Sequence, residues 1–274
     1  MKTSRMNWKV GAASCLFGEQ VVTLEEMTRL SENGVSFMEL DMQNRWQKWP
    51  VCDLKSAWRH LGSHAKDIGL AIWSLHIPYG WDEDLSSLDE CHRKAVVARH
   101  SALIAAAKES MDIQRTVVHP SFEPIPENER EERIKRVRES LSALCEAAEK
   151  VGVQVAVEDL PRTCLGNTTK EMLRIVDGID KLGVCCDTNH LLADRTEDFI
   201  RALGSRVVTV HLSDYDFVNE RHWLPGKGLN DWEAILSALE DAGYSGPAMF
   251  ELGPEFCPAG PAGVKKCWDE LVKG

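Results

Sequence analysis

The feature that most constrains the fold is an alternation of short, apolar, β-rich segments with amphipathic helical segments along the whole chain. The stretch from Ile134 to Ala148 is typical of the helical segments, because its apolar residues recur at helical spacing and its other face is rich in Glu and Arg. This alternation predicts parallel strands that are joined by crossover helices. Eight strand-like segments begin at Trp8, Ser36, Leu70, Arg115, Val153, Gly183, Val207 and Pro247.

Eight such units favour an α/β fold, a (β/α)8 barrel that forms a single domain over residues 1–274, since such barrels run to about 250 residues. An open, doubly wound sheet is the alternative, but the first strand is not followed by the GxGxxG pattern of a dinucleotide fold. Capping boxes at Thr23 with Glu26 and at Thr168 with Glu171 predict helix starts, and Asn230 is interpreted as a further cap. Helix ends are expected at Gly34, Gly69, Gly152 and Gly243.

Charge and composition disfavour several classes of partner. The net charge of −11 repels phosphate backbones, so nucleic acid is not expected as a partner. The nine cysteines are odd in number and lack CxxC spacing, which predicts reduced thiols. No apolar run reaches the length of about 18 residues that a membrane span needs. These features together predict an unprocessed, soluble, cytoplasmic protein.

Four strand-like segments in the second half of the chain end in residues of the type that binds metals. In a parallel barrel the carboxyl ends of the strands lie on one rim, so these side chains are expected to meet there. The alternative is a set of unrelated salt bridges, but buried charges without a partner or a metal are costly. Three carboxylates and one imidazole suit Mn²⁺, with Mg²⁺, Co²⁺ or Zn²⁺ as alternatives. The four predicted ligands are Glu158, Asp187, His211 and Glu251.

Other polar and aromatic residues fall at predicted strand ends or in the loops that follow them. A single histidine at a strand end is as often structural as functional, and loop arginines are more often solvated than bound to ligands. The loop tryptophans suit either the C–H face of a sugar or a lid over the barrel. The predicted substrate-binding residues are His76, His119, His190, His222, Arg221, Trp81 and Trp223; Trp46, Trp49, Arg45, Arg162 and Lys227 are further candidates in these loops.

The order and context of these residues resemble those of a known superfamily. Glu158 lies in VEDLP, Asp187 and His190 in CDTNH, His211 in VHLSD and Glu251 in FEL, with PGKG and DWEAIL between the last two. This pattern is similar to that of the xylose-isomerase-like TIM barrels, specifically the sugar phosphate isomerase/epimerase group, which is related to ketose 3-epimerases and endonuclease IV.

The resemblance implies that Glu158, Asp187, His211 and Glu251 bind one divalent metal. It further implies that Glu158 and Glu251 act as an acid/base pair and that His190 contacts substrate oxygens. His76 and His119 match positions that bind additional metals in endonuclease IV.

Two positions differ from the ketose 3-epimerases. Cys164 stands where those enzymes have a substrate-binding glutamate, and Phe217 stands where they have an arginine. These differences predict that a free ketohexose is not held in the manner of the 3-epimerases.

The sequence therefore predicts a metal-dependent isomerase or epimerase of a small sugar, polyol or sugar derivative, which abstracts a proton next to a metal-chelated carbonyl. A dehydratase of a keto-polyol with the same site is the first alternative. An endonuclease IV-like DNA phosphodiesterase is disfavoured by the net charge, and a non-catalytic sugar-binding barrel is the remaining reading. The expected partner is a small carbohydrate, with neither nucleic acid nor membrane, and homo-oligomerisation is left open.

Overall fold

The computed structural model describes residues 4–18, 21–42 and 49–273. Its strands are β1 (Val10–Ala13), β2 (Phe37–Asp41), β3 (Ala71–His76), β4 (Arg115–Val118), β5 (Gln154–Glu158), β6 (Gly183–Asp187), β7 (Val207–His211) and β8 (Ala248–Phe250). Its α-helices are α1 (Leu24–Glu32), α2 (Val51–Asp67), α3 (Glu90–Met111), α4 (Arg130–Glu149), α5 (Thr169–Val176), α6 (Thr196–Leu203), α7 (Trp232–Asp241) and α8 (Pro261–Leu271). All eight predicted strands are present.

The strands form one parallel sheet that closes on itself. Neighbouring strands pair in the order β7-β6-β5-β4-β3-β2-β1-β8. A parallel bridge between Leu212 and Phe250 then joins the two ends. The Leu212 amide donates to the carbonyl of Met249 at 2.8 Å, and the Glu251 amide donates to the carbonyl of Leu212 at 3.3 Å. The (β/α)8 barrel is therefore confirmed, and the closing hydrogen bonds lie beside two of the predicted metal ligands.

The strands are buried on both faces, as expected when helices surround a parallel sheet. Most core residues pack between the sheet and the helices. A smaller cluster, made by Val117, Ala156 and Cys185, fills the inside of the barrel. None of the nine cysteines takes part in a disulfide. Among the described residues, no helix combines the length and the apolar character that crossing a membrane would require.

One of the two predicted capping boxes forms in full. Thr23 accepts from the amide of Glu26, whose carboxylate accepts from the amide of Thr23, so α1 starts as expected. Thr168 likewise caps α5. The carboxylate of Glu171, however, accepts from Arg130 Nε at 2.7 Å rather than returning to Thr168. The prediction of a second reciprocal box is wrong, because the half-buried guanidinium of Arg130 competes for that carboxylate.

The prediction that Asn230 caps a helix is also wrong. Asp231 is the N-cap of α7, and its side chain accepts from the amide of Ala234 at 3.0 Å. The Asn230 side chain instead donates to the carbonyl of Thr188 at 2.9 Å. It therefore ties the loop after β7 to the end of β6.

We expect Gly62→Ala to destabilise the protein, although alanine is the better helix former by about 1 kcal/mol. A Cβ at Gly62 in α2 would lie 2.3 Å from the carbonyl oxygen of Ser110 at the end of α3, so the helices would have to move apart. The free energy of unfolding, measured by urea denaturation, should fall by about 1–3 kcal/mol. Ser63→Ala, at an exposed position of the same helix, is the control and should change it by less than about 0.5 kcal/mol. A more stable Gly62→Ala variant would contradict this view of the contact.

Candidate active site

Four strand ends bring the predicted metal ligands together. Glu158, Asp187 and His211 are the last residues of β5, β6 and β7, and Glu251 directly follows β8. One ligand atom from each of the four lies within 4.8 Å of those of the others. Parallel strands all place their carboxyl ends on the same rim, which is why residues so far apart in the sequence converge.

His211 lies at the centre of this group. Its Nδ1 atom is 2.8 Å from Glu158 Oε1, 3.3 Å from Glu251 Oε2 and 3.9 Å from Asp187 Oδ2. The other oxygen of Asp187, Oδ1, accepts from the amide of Asn189 at 2.7 Å. Asp187 Oδ2 is buried and has no hydrogen-bond donor among the described residues. An unpartnered carboxylate oxygen aimed at two further carboxylates and an imidazole fits a divalent cation.

Several ionisable groups lie together in one buried space, and their pKa values are shifted as a result. Burial raises the pKa of Asp187 well above its usual value. Burial would also raise the pKa of Glu158, but the charge of His211 and the hydrogen bonds from His119 and His211 hold it well below its usual range. Burial alone would lower the pKa of His211, but the negative groups around it raise it well above its usual value. A cation would supply the positive charge that His211 now provides.

Sequence reasoning missed Glu39, which is fully buried in β2. Its Oε1 atom lies 2.8 Å from His211 Nε2, although the two atoms are not aligned as a hydrogen bond. Ser74 Oγ donates to Glu39 Oε2 at 2.6 Å and fixes the carboxylate. With Nε2 facing Glu39, Nδ1 is the nitrogen that faces the other ligands, as in many metal sites where a carboxylate orients the histidine. The available signal was an acidic residue inside an apolar strand.

His76 and His119 form a second group of ligand type with Glu158. Their Nε2 atoms lie 3.1 Å and 3.0 Å from Glu158 Oε2. His76 Nδ1 donates to the carbonyl of Ile77 at 3.1 Å, which fixes the orientation of the ring. The ring of Tyr79 stacks on that of His119 with the centroids 4.0 Å apart. Both predicted histidines thus lie beside the first group and contact its shared carboxylate.

A third group contains His190, Glu220 and His222. His190 Nδ1 donates to the carbonyl of Asp159 at 2.8 Å, and its Nε2 atom lies 3.3 Å from Glu220 Oε2. The hydrogen bond from His190 lowers the pKa of Glu220 to about 2. His222 has a φ of 51°, in the left-handed region, and Asn189 Oδ1 holds its amide at 3.2 Å. Backbone strain of this kind is common at functional sites.

A cavity of about 300 Å³ opens above these groups at the carboxyl ends of the strands. Its lining includes His76, His119, His190 and His222, as predicted, together with Glu158 and Glu251. Cys164, which stands where the 3-epimerases have a substrate-binding glutamate, and Glu220, which the sequence pairs with His222 as a possible metal group, also line the cavity. The lining residues that sequence reasoning missed follow β3, β4 or β5 directly or in the next loop, so their position after a strand was the available signal. They are Tyr79, Ser121, Phe122, Glu123, Leu160 and Pro161.

Several predicted substrate-binding residues lie outside the described lining of this cavity. Trp81 is 56% exposed, with its ring against that of Phe122. Arg221 donates to Asp216 Oδ2 at 2.8 Å and lies over the ring of Trp223. The assignment of these three to substrate binding stays a prediction. Of the remaining candidates, Trp49 is 44% exposed and Lys227 lines a separate hollow beside α8, whereas Arg45 and Trp46 fall outside the described residues.

The fold and the site together define a parallel (β/α)8 barrel with a group of acidic and histidine side chains at the carboxyl ends of its strands. The family model described as xylose isomerase-like TIM barrel matches residues 27–266. The chain belongs to this family.

Its similar relatives include sugar epimerases and isomerases. It is 32% identical over 148 residues to D-psicose 3-epimerase of Enterocloster bolteae, which covers 52% of this chain and 46% of that enzyme. It is 34% identical over 131 residues to inosose isomerase of Bacillus licheniformis, which covers 43% of this chain and 47% of that enzyme. The chain thus matches about half the length of these curated relatives.

Solved structures show the same fold. The crystal structure of a D-tagatose 3-epimerase-like protein superposes with a TM-score of 0.82 at 23% identity and covers 97% of both chains. The crystal structure of an IolI protein with a bound zinc atom superposes with a TM-score of 0.75 at 18% identity and covers 96% of both chains.

We expect Mn²⁺ to raise the melting temperature of the EDTA-treated protein. A cation bound only by the folded state stabilises it by about 2.7 kcal/mol when free metal is about 100 times its dissociation constant. Asp187→Asn should reduce this shift, because it removes the charge of the unpartnered oxygen. Without metal the variant should be at least as stable as the wild type, since it also removes a buried carboxylate. Glu146→Gln, at an exposed position of α4, should keep the full shift. A wild type that does not respond to Mn²⁺, Mg²⁺, Co²⁺ or Zn²⁺ would contradict a metal site.

Proposed function

We propose that the protein is a divalent-metal-dependent isomerase or epimerase that acts on a small sugar, polyol or sugar derivative, with Mn²⁺ as its metal. The observation that carries this proposal is the joint position of Glu158 and Glu251. The two carboxylates come from non-adjacent strand ends, belong to one ligand group with Asp187 and His211, and line the same cavity. The epimerases and isomerases among the relatives, and the zinc atom of the structural neighbour, support the same class of site.

Glu158, Asp187, His211 and Glu251 would hold the metal. When bound, a divalent cation polarises a chelated substrate carbonyl and acidifies the neighbouring C–H bond. Burial would raise the pKa of Glu251, but the charge and hydrogen bond of His211 keep it below its usual value. Glu158 is held ionised in the same way, so either carboxylate is able to accept a proton. One of them, in its ionised form, removes the proton from the substrate carbon; the other first takes up a proton from solvent and delivers it to the opposite face or to the neighbouring position, so that each step leaves one carboxyl protonated and one ionised.

Three histidines support the reaction. His190 is fixed through Nδ1 by the carbonyl of Asp159, and its Nε2 atom, which lies 3.3 Å from Glu220 Oε2, would exchange this carboxylate for a substrate oxygen. His76 and His119 contact Glu158 Oε2 and orient the carboxylate that moves the proton. The apolar surfaces of Leu160 and Pro161 limit water around the reacting carbon.

We expect Glu158→Gln and Glu251→Gln each to lower the rate of solvent-deuterium incorporation into the substrate by at least about 100-fold, since neither amide can accept the proton. The measurement is mass spectrometry of D-psicose, D-tagatose and inosose incubated in deuterated buffer with the Mn²⁺-loaded protein. Metal content is determined for each variant, because both residues are also ligands. Glu146→Gln is the matched control and should exchange as the wild type does.

The outcomes of this experiment separate the neighbouring functions. Unchanged exchange in both glutamine variants would overturn the acid/base roles. A product lighter than the substrate by one water would identify a dehydratase, which uses the same proton abstraction. Sugar binding that survives removal of the metal ligands, without any exchange in the wild type, would identify a non-catalytic binding barrel.

A metal-dependent phosphodiesterase is the second candidate, and one observation favours it. The groups around His76 and around His190 each adjoin the first ligand group, so the cavity offers ligands for more than one cation. Against it stands the net charge of −11, which opposes binding to nucleic acid. We expect elemental analysis of the purified protein to give one metal per chain and a duplex with an abasic site to remain intact. Several metals per chain together with cleavage of that duplex would establish the second candidate instead.

A further inference from the structure

We propose that the cavity accepts uncharged polyhydroxy ketones and excludes phosphorylated and other anionic sugars, and that the determinant is a cluster of three charged residues at its mouth. We call this cluster the Arg162 clamp; it consists of Glu123, Arg162 and Glu220. The inference deepens the proposed function by naming the substrate class of the same site.

All three nitrogens of the Arg162 guanidinium contact groups of the protein. Its Nε atom donates to Glu123 Oε1 at 2.7 Å, and its Nη2 atom donates to the same oxygen. Its Nη1 atom donates to Asn219 Oδ1 at 2.7 Å and lies 3.0 Å from Glu220 Oε1. The hydrogen bond to Glu123 raises the pKa of Arg162 above its usual value. Each nitrogen of the guanidinium therefore has a partner, and a phosphate would have to compete with these groups for Arg162.

The clamp joins three different loops above the cavity. Glu123 follows β4, Arg162 follows β5 and Glu220 follows β7, and all three side chains line the cavity. Arg162 has a φ of 53°, which is unfavourable for a residue with a side chain, and its carbonyl accepts from Asn167 Nδ2 at 2.6 Å. This local strain indicates that the position of Arg162 is imposed by the contacts around it.

The clamp leaves the mouth negatively charged, because two carboxylates surround one guanidinium. Arg162 is the only Lys or Arg in the described lining, whereas Glu158 and Glu251 lie deeper in the same cavity. Arg221, the arginine that the sequence predicts to bind substrate, is paired with Asp216 and lies outside the described lining. A phosphate would have to displace Glu123 from Arg162 and approach the Glu220 carboxylate. Like charges repel each other, so the two carboxylates of the clamp disfavour an anion at the mouth.

The same groups suit an uncharged substrate rich in hydroxyls. Carboxylates are acceptors only, and sugar hydroxyls are donors, so Glu123 and Glu220 match them in chemistry. A cavity of about 300 Å³ is at the lower end of the range of small-molecule sites. It therefore fits a single sugar or cyclitol ring or its open-chain ketone.

The first test measures anion binding directly and does not depend on turnover. The Mn²⁺-loaded, full-length protein is titrated calorimetrically with inorganic sulfate, which has the charge and shape of phosphate but does not precipitate Mn²⁺. Glu123→Gln removes the negative charge that pairs with Nε and Nη2 of Arg162, so its dissociation constant for sulfate should be at least about tenfold lower than that of the wild type. The double variant Glu123→Gln with Arg162→Met should lose this gain, and Glu146→Gln should behave as the wild type does. Equal affinity of the wild type and Glu123→Gln, or a gain that persists in the double variant, would overturn the proposal.

The second test compares D-fructose with D-fructose 6-phosphate as substrates for solvent-deuterium exchange by the wild type. We expect kcat/KM to be at least about tenfold higher for the free sugar. Faster exchange into the phosphate would overturn the clamp as a determinant and leave the isomerase function standing. Failure of every ketose to exchange, with the sulfate results as expected, would count against the proposed function and support the exclusion of anions.

Discussion

The burial of ionisable side chains at the carboxyl ends of the strands is the constraint on which the site depends. Glu39, Glu158, Asp187 and His211 are at most 1% exposed. Charges removed from water are stable only when they are paired, protonated or bound to metal. One histidine among these carboxylates cannot satisfy them all, and Asp187 Oδ2 shows the deficit directly. The carboxylates at the carboxyl ends of the strands therefore lack sufficient positive charge. A divalent cation supplies this charge more completely than a proton does.

The third ligand group, made of His190, Glu220 and His222, lies partly on a loop that Asp214 anchors. Asp214 is a buried carboxylate outside the described lining of the cavity. Asp214 accepts from the amides of Gly226 at 2.8 Å and Asn230 at 3.2 Å, and from Trp232 Nε1 at 3.0 Å. It thereby anchors the long loop between β7 and α7, which carries His222. A Cβ at Gly228 would lie 2.4 Å from Asp214 Oδ1, so this turn admits no side chain there. Two backbone amides and one indole of this segment thus converge on one residue, which holds the loop in place.

The residues of the site that the sequence predicts are those that follow from a local sequence pattern. Each of Glu158, Asp187 and His211 ends an apolar run, and a parallel barrel needs no further information to bring such ends together. Glu39 could not be predicted in this way, because it lies within its strand and not at its end. Only its contact with His211 across the barrel shows that it belongs to the site. The contact of Arg162 with Glu123 likewise joins two loops that follow different strands. Pairings of this kind depend on loop conformation, which local propensity does not determine.

Glu158 belongs to two ligand groups, so the number of bound cations affects its ability to act as a base. Its Oε1 atom faces His211, whereas its Oε2 atom faces His76 and His119. Histidines that donate to Oε2 orient the carboxylate for proton transfer, but the same histidines as metal ligands would convert it into a bridge between two cations. A bridging carboxylate is a poorer base, because two cations withdraw its charge. The acid-rich mouth adds to this argument, since a phosphodiester that needed several cations would first have to pass Glu123 and Glu220. We therefore propose one cation and an uncharged substrate for this cavity.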